Sequence, residues 1–197
     1  MNRVYNYRIA EFRPTPMTSV YCFAPIENKD ARILILGSMP GRESLKAEQY
    51  YAHQRNAFWP VMGELVGASP SIPYESRVQI LTSAGIALWD VLASCRRLGS
   101  MDSDIEEGSI QPNDFESFYR SHPKITRIIF NGAMAEKCYR KQVLPLLKSL
   151  PLLYLRVPST SPANVSIPYE QKLNAWRAAL EGSPSASIPS EPAFFKK

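Results

Sequence analysis

Two short loops of small and hydroxyl-bearing residues are the first candidates for chemistry in this sequence. One loop reads Gly37-Ser38-Met39-Pro40-Gly41, and the other reads Pro158-Ser159-Thr160-Ser161-Pro162-Ala163-Asn164. Each follows an aliphatic run, so its backbone N–H groups and hydroxyls can approach a phosphate or a flat polar ring. An ordinary turn is the alternative for each loop, because glycine and proline are common wherever a strand ends.

Four apolar runs predict the strands that position these loops, at residues 32–36, 86–89, 127–130 and 152–157. Helical patterns accompany them at residues 76–84, 113–121, 133–147 and 169–180. Pro145 is expected to break or kink the third helix. The alternation predicts an α/β fold with a parallel sheet and helices on both faces. Ligands of such sheets bind at the carboxyl ends of the strands, where Asp90 and Asn131 also fall.

Composition indicates one globular domain and argues against several classes of protein. The chain has 197 residues, 45% of them hydrophobic, and no apolar run approaches the ~20 residues of a membrane span. The net charge of +5 mildly favours an anionic partner such as nucleic acid. Three scattered cysteines and two histidines argue against disulfides and a metal site. Because the N-terminus lacks the apolar block of a signal peptide, a cytoplasmic location is expected.

Three segments are expected along the chain. Residues 1–30 are polar and aromatic with several prolines, which predicts irregular structure that wraps the domain. Residues 31–181 carry the strands and helices and form the folded domain. Residues 182–197 are rich in serine and proline, which predicts a disordered tail.

Five motifs in order resemble the uracil-DNA glycosylase superfamily, and in particular its DNA-deoxyinosine, or hypoxanthine-DNA, branch. They read LGSMPG, YYAHQRNAFWPVMGEL, ALWDVLASCRRLGSMDSDI, IIFNGAMA and VPSTSPAN. The resemblance implies a three-layer α/β/α sandwich around a four-stranded parallel sheet. It also implies a monofunctional, cofactor-free enzyme that hydrolyses the N-glycosidic bond of deaminated bases in DNA. A monomer is expected. Residues 31–181 would then be the catalytic domain.

The sequence departs from the wider superfamily at two positions. Relatives commonly carry Asp or Asn in the first loop to position the attacking water, whereas Met39 offers an unreactive thioether. Asn56 matches the asparagine that the hypoxanthine branch uses instead, and capping the following helix is its alternative role. Val157-Pro158 replaces the histidine that stabilises the departing base in many relatives, which leaves backbone N–H groups or loop hydroxyls for that task.

The candidates for base recognition are Asp90, Asn131, Phe58 and Trp59, and the resemblance bears on Asp90. Asp90 lies where several relatives read uracil with asparagine, and its carboxylate would accept N1–H of hypoxanthine while repelling the N1 lone pair of adenine. Capping the next helix is its alternative. Asn131 would donate to a base carbonyl or support the loops. Phe58 and Trp59 would offer an aromatic face to the base, with a core position as the alternative for Trp59.

The remaining expectations concern the wall of the site and the choice of function. Tyr50 and Tyr51 are further candidates for its wall, His53 for a phosphate contact, and Asn164 or Val165 for filling the stack that an extruded base leaves. Two functional alternatives stay open. One is a glycosylase whose main substrate is uracil in mismatches, and the other is a non-catalytic module that binds nucleotides or DNA.

Overall fold

The computed structural model describes residues 18–99, 104–148 and 150–182. Its elements, in chain order, are β1 (Thr18–Tyr21), β2 (Ile33–Gly37), α1 (Arg42–Ala47), α2 (Phe58–Val66), α3 (Tyr74–Ser83), β3 (Ile86–Asp90), β4 (Leu92–Arg97), β5 (Gln111–Pro112), α4 (Phe115–Ser121), β6 (Arg127–Asn131), α5 (Ala133–Cys138), β7 (Leu153–Val157) and α6 (Tyr169–Glu181).

The central sheet has four parallel strands in the order β3-β2-β6-β7. Strands β2, β3 and β6 are buried over most of their length, as expected for a parallel sheet, whereas the edge strand β7 has exposed residues. Their carboxyl ends are in register, so that Gly37 pairs with Asp90 and Asn131 pairs with Val157. The polar residues predicted at the strand ends therefore lie along one edge of the sheet.

Helices cover both faces of this sheet and produce two hydrophobic clusters. Alternate residues of β2 separate them, because successive side chains of a strand point to opposite faces. Leu34 and Leu36 pack in one cluster with residues of α4 and α5, whereas Ile35 packs in the other with residues of α2, α3 and α6. The three-layer α/β/α arrangement around a four-stranded parallel sheet is therefore confirmed.

A second sheet was not predicted from the sequence. Its three antiparallel strands have the order β1-β4-β5, and β4 follows β3 with only Val91 between them. Strand β1 lies within residues 1–30, so the prediction that this whole segment is irregular is wrong. Residues 1–17, and residues 183–197 of the predicted tail, lie outside the described residues.

The helix predicted at residues 133–147 is not one continuous α-helix. It begins as α5, continues as a π turn at Tyr139–Val143 and ends as a 3-10 turn at Leu144–Leu146, which contains Pro145. Proline lacks the N–H that an α-helix needs, which accounts for the end of the helix here. Within the described ranges, every helix falls short of the length and apolar character that crossing a membrane requires.

Candidate active site

A cavity of about 900 Å³ opens at the carboxyl ends of the four parallel strands. It is lined by all five residues of the first loop and by Asn56, Asp90, Asn131, Ser159, Ser161, Pro162, Ala163 and Asn164. Residues more than 100 positions apart are thus brought to one place. Four predicted site residues, Phe58, Trp59, Pro158 and Thr160, do not line it.

Asp90 ends β3 with its side chain buried beside the first loop. The residue is only 3% exposed, and a Cβ added to Gly37 would lie 2.4 Å from Asp90 Oδ1. Glycine at position 37 therefore leaves the space that the carboxylate occupies. The alternative role of Asp90 as a helix cap is wrong, because the next element is strand β4.

The Asp90 carboxylate also influences a neighbouring tyrosine. Burial, together with the nearby Asp90 charge, raises the pKa of the Tyr50 hydroxyl. This hydroxyl stays protonated at neutral pH and donates to the carbonyl oxygen of Ala24 at 3.2 Å. Tyr50 is therefore held in place as part of the wall of the cavity.

Tyr51 adopts a left-handed backbone conformation that is unusual for a bulky residue, with φ of +54°. The preceding residue is held at both of its backbone polar groups. The N–H of Tyr50 donates to the Tyr74 hydroxyl at 3.0 Å, and its carbonyl oxygen accepts from Trp59 Nε1 at 2.8 Å. Backbone strain of this kind persists where the surroundings over-determine the conformation, often at functional sites.

The result is an aromatic wall formed by Tyr51. Its ring lines the cavity and stacks on Phe58, with ring centroids 4.1 Å apart and planes inclined by 26°. Its hydroxyl lies on the same side of Gly37 as the Asp90 carboxylate, 3.1 Å from where a Cβ of residue 37 would be. The cavity thus combines a flat ring with a buried carboxylate, a combination suited to a flat polar base.

Phe58 and Trp59 belong to the core instead. Phe58 is 0% exposed and Trp59 is 3% exposed, and both pack in the cluster formed with α2, α3 and α6. The prediction that they present a face to the base is therefore wrong. Phe58 supports the ring of Tyr51, and Trp59 fixes the backbone before it. The helical spacing of Phe58, Val61 and Met62 was the signal that this stretch faces the core.

Asn56 lies at the cavity in the turn before α2. Its side-chain Oδ1 accepts from the backbone N–H of Phe58 at 3.0 Å. The backbone N–H of Asn56 donates to the carbonyl oxygen of His53 at 2.8 Å. Because a backbone N–H can only donate, the oxygen of the amide must be the atom facing it. A carbonyl oxygen has two lone pairs, so Oδ1 retains acceptor capacity for a water molecule.

Asn131 and Thr160 are joined by two hydrogen bonds. Asn131 Nδ2 donates to Thr160 Oγ1, and Asn131 Oδ1 accepts from the backbone N–H of Thr160, each at 2.9 Å. Thr160 is only 1% exposed, so the prediction that it contacts a phosphate is wrong. These bonds assign Asn131 to support of the last loop, while the second N–H of Nδ2 and a lone pair of Oδ1 remain, so base recognition by this cavity-lining residue stays a prediction.

Internal hydrogen bonds define the shape of the last loop. The N–H groups of Ser161 and Ala163 donate to the hydroxyls of Ser159 and Ser161 at 3.2 and 3.3 Å. Each hydroxyl accepts in these bonds and keeps its own hydrogen for an external acceptor. Pro158 has no N–H and its carbonyl accepts from Trp176 Nε1 at 3.2 Å, so its backbone offers no hydrogen-bond donor to a phosphate.

Asn164 and Val165 differ sharply at the end of this loop. Asn164 is anchored, because its Nδ2 donates to the Ser159 carbonyl oxygen at 3.0 Å and its own carbonyl accepts from Lys172 Nζ at 2.7 Å. Val165 is 86% exposed. Of the two residues considered for filling a vacated stack, Val165 is the one free to do so.

Several cationic residues around the site were not singled out by sequence reasoning. Arg42 and Arg55 are exposed residues that line the cavity, together with the predicted His53. Lys172 is buried beneath the last loop, and the buried Arg97 donates from Nη2 to the carbonyl oxygen of Pro40 in the first loop. The two exposed arginines can contact an anionic group locally, while Glu43 and Asp90 line the same cavity and balance their charge. Only the fold brings these residues together, because they are dispersed along the chain.

The sequence of this chain matches a known protein family over most of its length. The model of the uracil DNA glycosylase superfamily matches residues 24–180. A protein named hypoxanthine DNA glycosylase from Methanosarcina acetivorans is 36% identical over 143 residues, which cover 72% of this chain and 86% of the relative. Another of that name from Methanosarcina barkeri is 37% identical over 111 residues, 56% of this chain and 69% of the relative.

A solved structure is similar as well. The solution NMR structure of a candidate uracil DNA glycosylase from Methanosarcina acetivorans superposes with a TM-score of 0.70 at 32% sequence identity. The match covers 84% of this chain and 98% of that one. The residues that match the superfamily model include both loops of the cavity and every polar residue assigned to it.

Proposed function

The chain belongs to the uracil-DNA glycosylase superfamily, and from this membership we propose that it is a DNA glycosylase that removes hypoxanthine from deoxyinosine. The observation that carries the proposal is the similarity to two proteins named hypoxanthine DNA glycosylase. The cavity supports it, since a buried carboxylate and a flat ring stand together between two loops that offer hydrogen-bond donors.

The reaction is hydrolysis of the bond between C1′ of the sugar and N9 of the base. As this bond breaks, the sugar becomes cationic and the base leaves with the electron pair. Water adds its oxygen to C1′, one of its protons neutralises the base, and an intact strand with an abasic site remains. Because the sugar cation is strongly electrophilic, positioning of the water contributes more than a strong base would.

Asn56 is the residue that we assign to the water. One lone pair of its Oδ1 is engaged by the N–H of Phe58, and this bond fixes the direction of the amide. The remaining acceptor capacity faces a cavity into which a nucleotide must be rotated for attack. A neutral amide thus takes the place of the acid that Met39 does not provide.

Asp90 is the residue that we assign to recognition of the base. Its carboxylate accepts a hydrogen bond from N1–H of hypoxanthine, whereas adenine presents a lone pair at the same position. A buried polar contact that stays unmade costs about 1–3 kcal/mol, which corresponds to roughly a tenfold to hundredfold selectivity. Guanine shares N1–H, so this contact separates hypoxanthine from adenine only.

Four further features support binding of an extruded nucleotide. Tyr51 offers its ring to the base, and the hydroxyls of Ser159 and Ser161 keep hydrogens that can reach a phosphate or the departing base. Exposed Val165 is placed to enter the gap that the base leaves in the stack. Arg42 and Arg55 are exposed residues of the cavity lining and can each contact a phosphate of the DNA backbone.

Uracil is a second candidate base. A similar protein of known structure is described as a candidate uracil DNA glycosylase. Uracil carries N3–H between two carbonyl groups, so the Asp90 carboxylate would accept from it as it does from N1–H of hypoxanthine.

The test is release of free base from duplexes that each carry one deoxyinosine, deoxyuridine, deoxyxanthosine or undamaged nucleotide. We expect hypoxanthine to be released fastest and the strand to break only after alkali. Faster release of uracil would assign the enzyme to the mismatch-uracil class, and no release from any lesion would favour a binding module. Strand breakage before alkali, or trapping of the protein on DNA by borohydride, would contradict the hydrolytic mechanism.

A further inference from the structure

Thr160 connects two parts of the site that are far apart in sequence. Its side chain and its N–H are bound by Asn131 at the end of β6, as described above. Its carbonyl oxygen accepts from the backbone N–H of Ala57 at 3.0 Å. All three polar groups of this buried residue are therefore used to join β6, the last loop and the turn before α2.

The bond from Ala57 to Thr160 is made by the residue next to Asn56 in the chain. The turn that carries Asn56 has two fixed points: the N–H of Ala57 bonds to Thr160, and the N–H of Phe58 bonds to the Asn56 side chain. Strand β6 is buried in the centre of the sheet, so the hydrogen bonds that run from Asn131 through Thr160 to Ala57 begin at a rigid element. The position of the Asn56 amide is thus set from β6 through Thr160.

We propose that Thr160 is a positioning residue for Asn56, an inference that rests on the proposed hydrolytic function. The Thr160 hydroxyl aligns the loop carbonyl with Ala57 and thereby holds the Asn56 oxygen at the distance that water needs from the sugar. Reacting atoms held in this way are sensitive to displacements of about 1 Å, which can cost about 100-fold in rate. The hydroxyl is needed because without it Asn131 Nδ2 loses a buried acceptor.

The variants follow from this geometry. Thr160→Val removes the hydroxyl and keeps the branched shape, whereas Thr160→Ser keeps the hydroxyl. Asn131→Ala removes both side-chain hydrogen bonds between β6 and Thr160. Thr82→Val is the matched control, because its hydroxyl bonds to the Val78 carbonyl oxygen at 3.0 Å within α3, outside the residues that line the cavity.

The measurements are single-turnover release of hypoxanthine and affinity for deoxyinosine duplex, each with and without Asn56→Ala. We expect Thr160→Val and Asn131→Ala to slow release about 10- to 100-fold with DNA affinity changed less than about threefold. Thr160→Ser and Thr82→Val should remain near wild type. When Asn56→Ala is already present, adding Thr160→Val should slow release of hypoxanthine by less than about a further twofold.

Equal losses with and without Asn56→Ala would overturn the proposal, as would a fully active Thr160→Val. A readout independent of activity is amide hydrogen exchange, which should accelerate at Ala57 in Thr160→Val and stay unchanged in Thr82→Val. Unchanged exchange at Ala57 would also overturn it. If wild-type protein releases no base, the proposed function fails, while the exchange result still decides whether Thr160 holds the turn. Should Thr160→Val not fold, Asn131→Ala supplies the same comparisons.

Discussion

Replacing Gly37 by alanine should displace the Asp90 carboxylate while leaving the fold intact. The new Cβ would lie 2.4 Å from Asp90 Oδ1, and ordinary contact begins at 3.4 Å, so one of the two must move by 1.0 Å (3.4 − 2.4). The backbone offers little room, because Gly37 is paired with β3 at the centre of the site. The side chain of Asp90 is therefore the part that moves. Backbone strain does not contribute, since Gly37 is absent from the described residues with positive φ.

A shift of this size in the group that reads the base should slow release of hypoxanthine about 100-fold. The assay is single-turnover base release from a deoxyinosine duplex, with the melting temperature measured in parallel. Gly108→Ala is the control, because its new Cβ would meet nothing within 4 Å and Gly108 lies outside the residues that line the cavity. Equal rates for both variants and the wild type would refute the placement of Asp90 at the base.

Three other substitutions test separate parts of the site. Asp90→Asn should reduce the ratio of hypoxanthine release to adenine release at least about tenfold, since an amide can also donate to N1 of adenine; an unchanged ratio would remove Asp90 from base recognition. Val165→Ala should slow release from duplex DNA about tenfold and from single strands by less than about twofold, and an equal effect on both would exclude its entry into the stack. Phe58→Ala should lower the free energy of unfolding by about 3–5 kcal/mol in urea titrations, as expected for a fully buried ring; a loss below about 1 kcal/mol would contradict its place in the core.

The central sheet was predictable because each of its strands contains adjacent apolar residues, most continuously in β2 and β3. Leu34, Ile35 and Leu36 follow one another with no polar residue between them. This pattern occurs where both faces of a strand are covered. The rule that ligands bind at the carboxyl ends of such strands then placed Asp90 and both loops at one cavity. The small sheet was missed because β5 has two residues, too few to produce a periodic signal.

The choice between aromatic residues could not be made from the sequence. Tyr51 faces the cavity because Trp59 and Tyr74 hold the backbone of Tyr50 and because Phe58 supports its ring. Tertiary contacts of this kind leave no local pattern. Phe58 and Trp59 were expected to offer this aromatic face, but Phe58 packs behind the ring of Tyr51 and Trp59 bonds to the backbone of Tyr50.

Thr160 shows a related limit. In the sequence it is one hydroxyl residue among three, and nothing distinguishes it from Ser159 or Ser161. The fold turns its side chain inward to Asn131 and leaves the two serines at the cavity. A hydroxyl-rich loop therefore predicts donors as a group, whereas the structure decides which of them remain available.

The most direct test of this account is the rate of hypoxanthine release by wild-type protein, Asn56→Ala and Asn56→Asp from one deoxyinosine duplex, measured with enzyme in excess. The account predicts release by the wild type, a loss of at least about 100-fold in Asn56→Ala with DNA affinity within about threefold, and retained release in Asn56→Asp, whose oxygens accept from both Phe58 and water. Release by Asn56→Ala at the wild-type rate would contradict it.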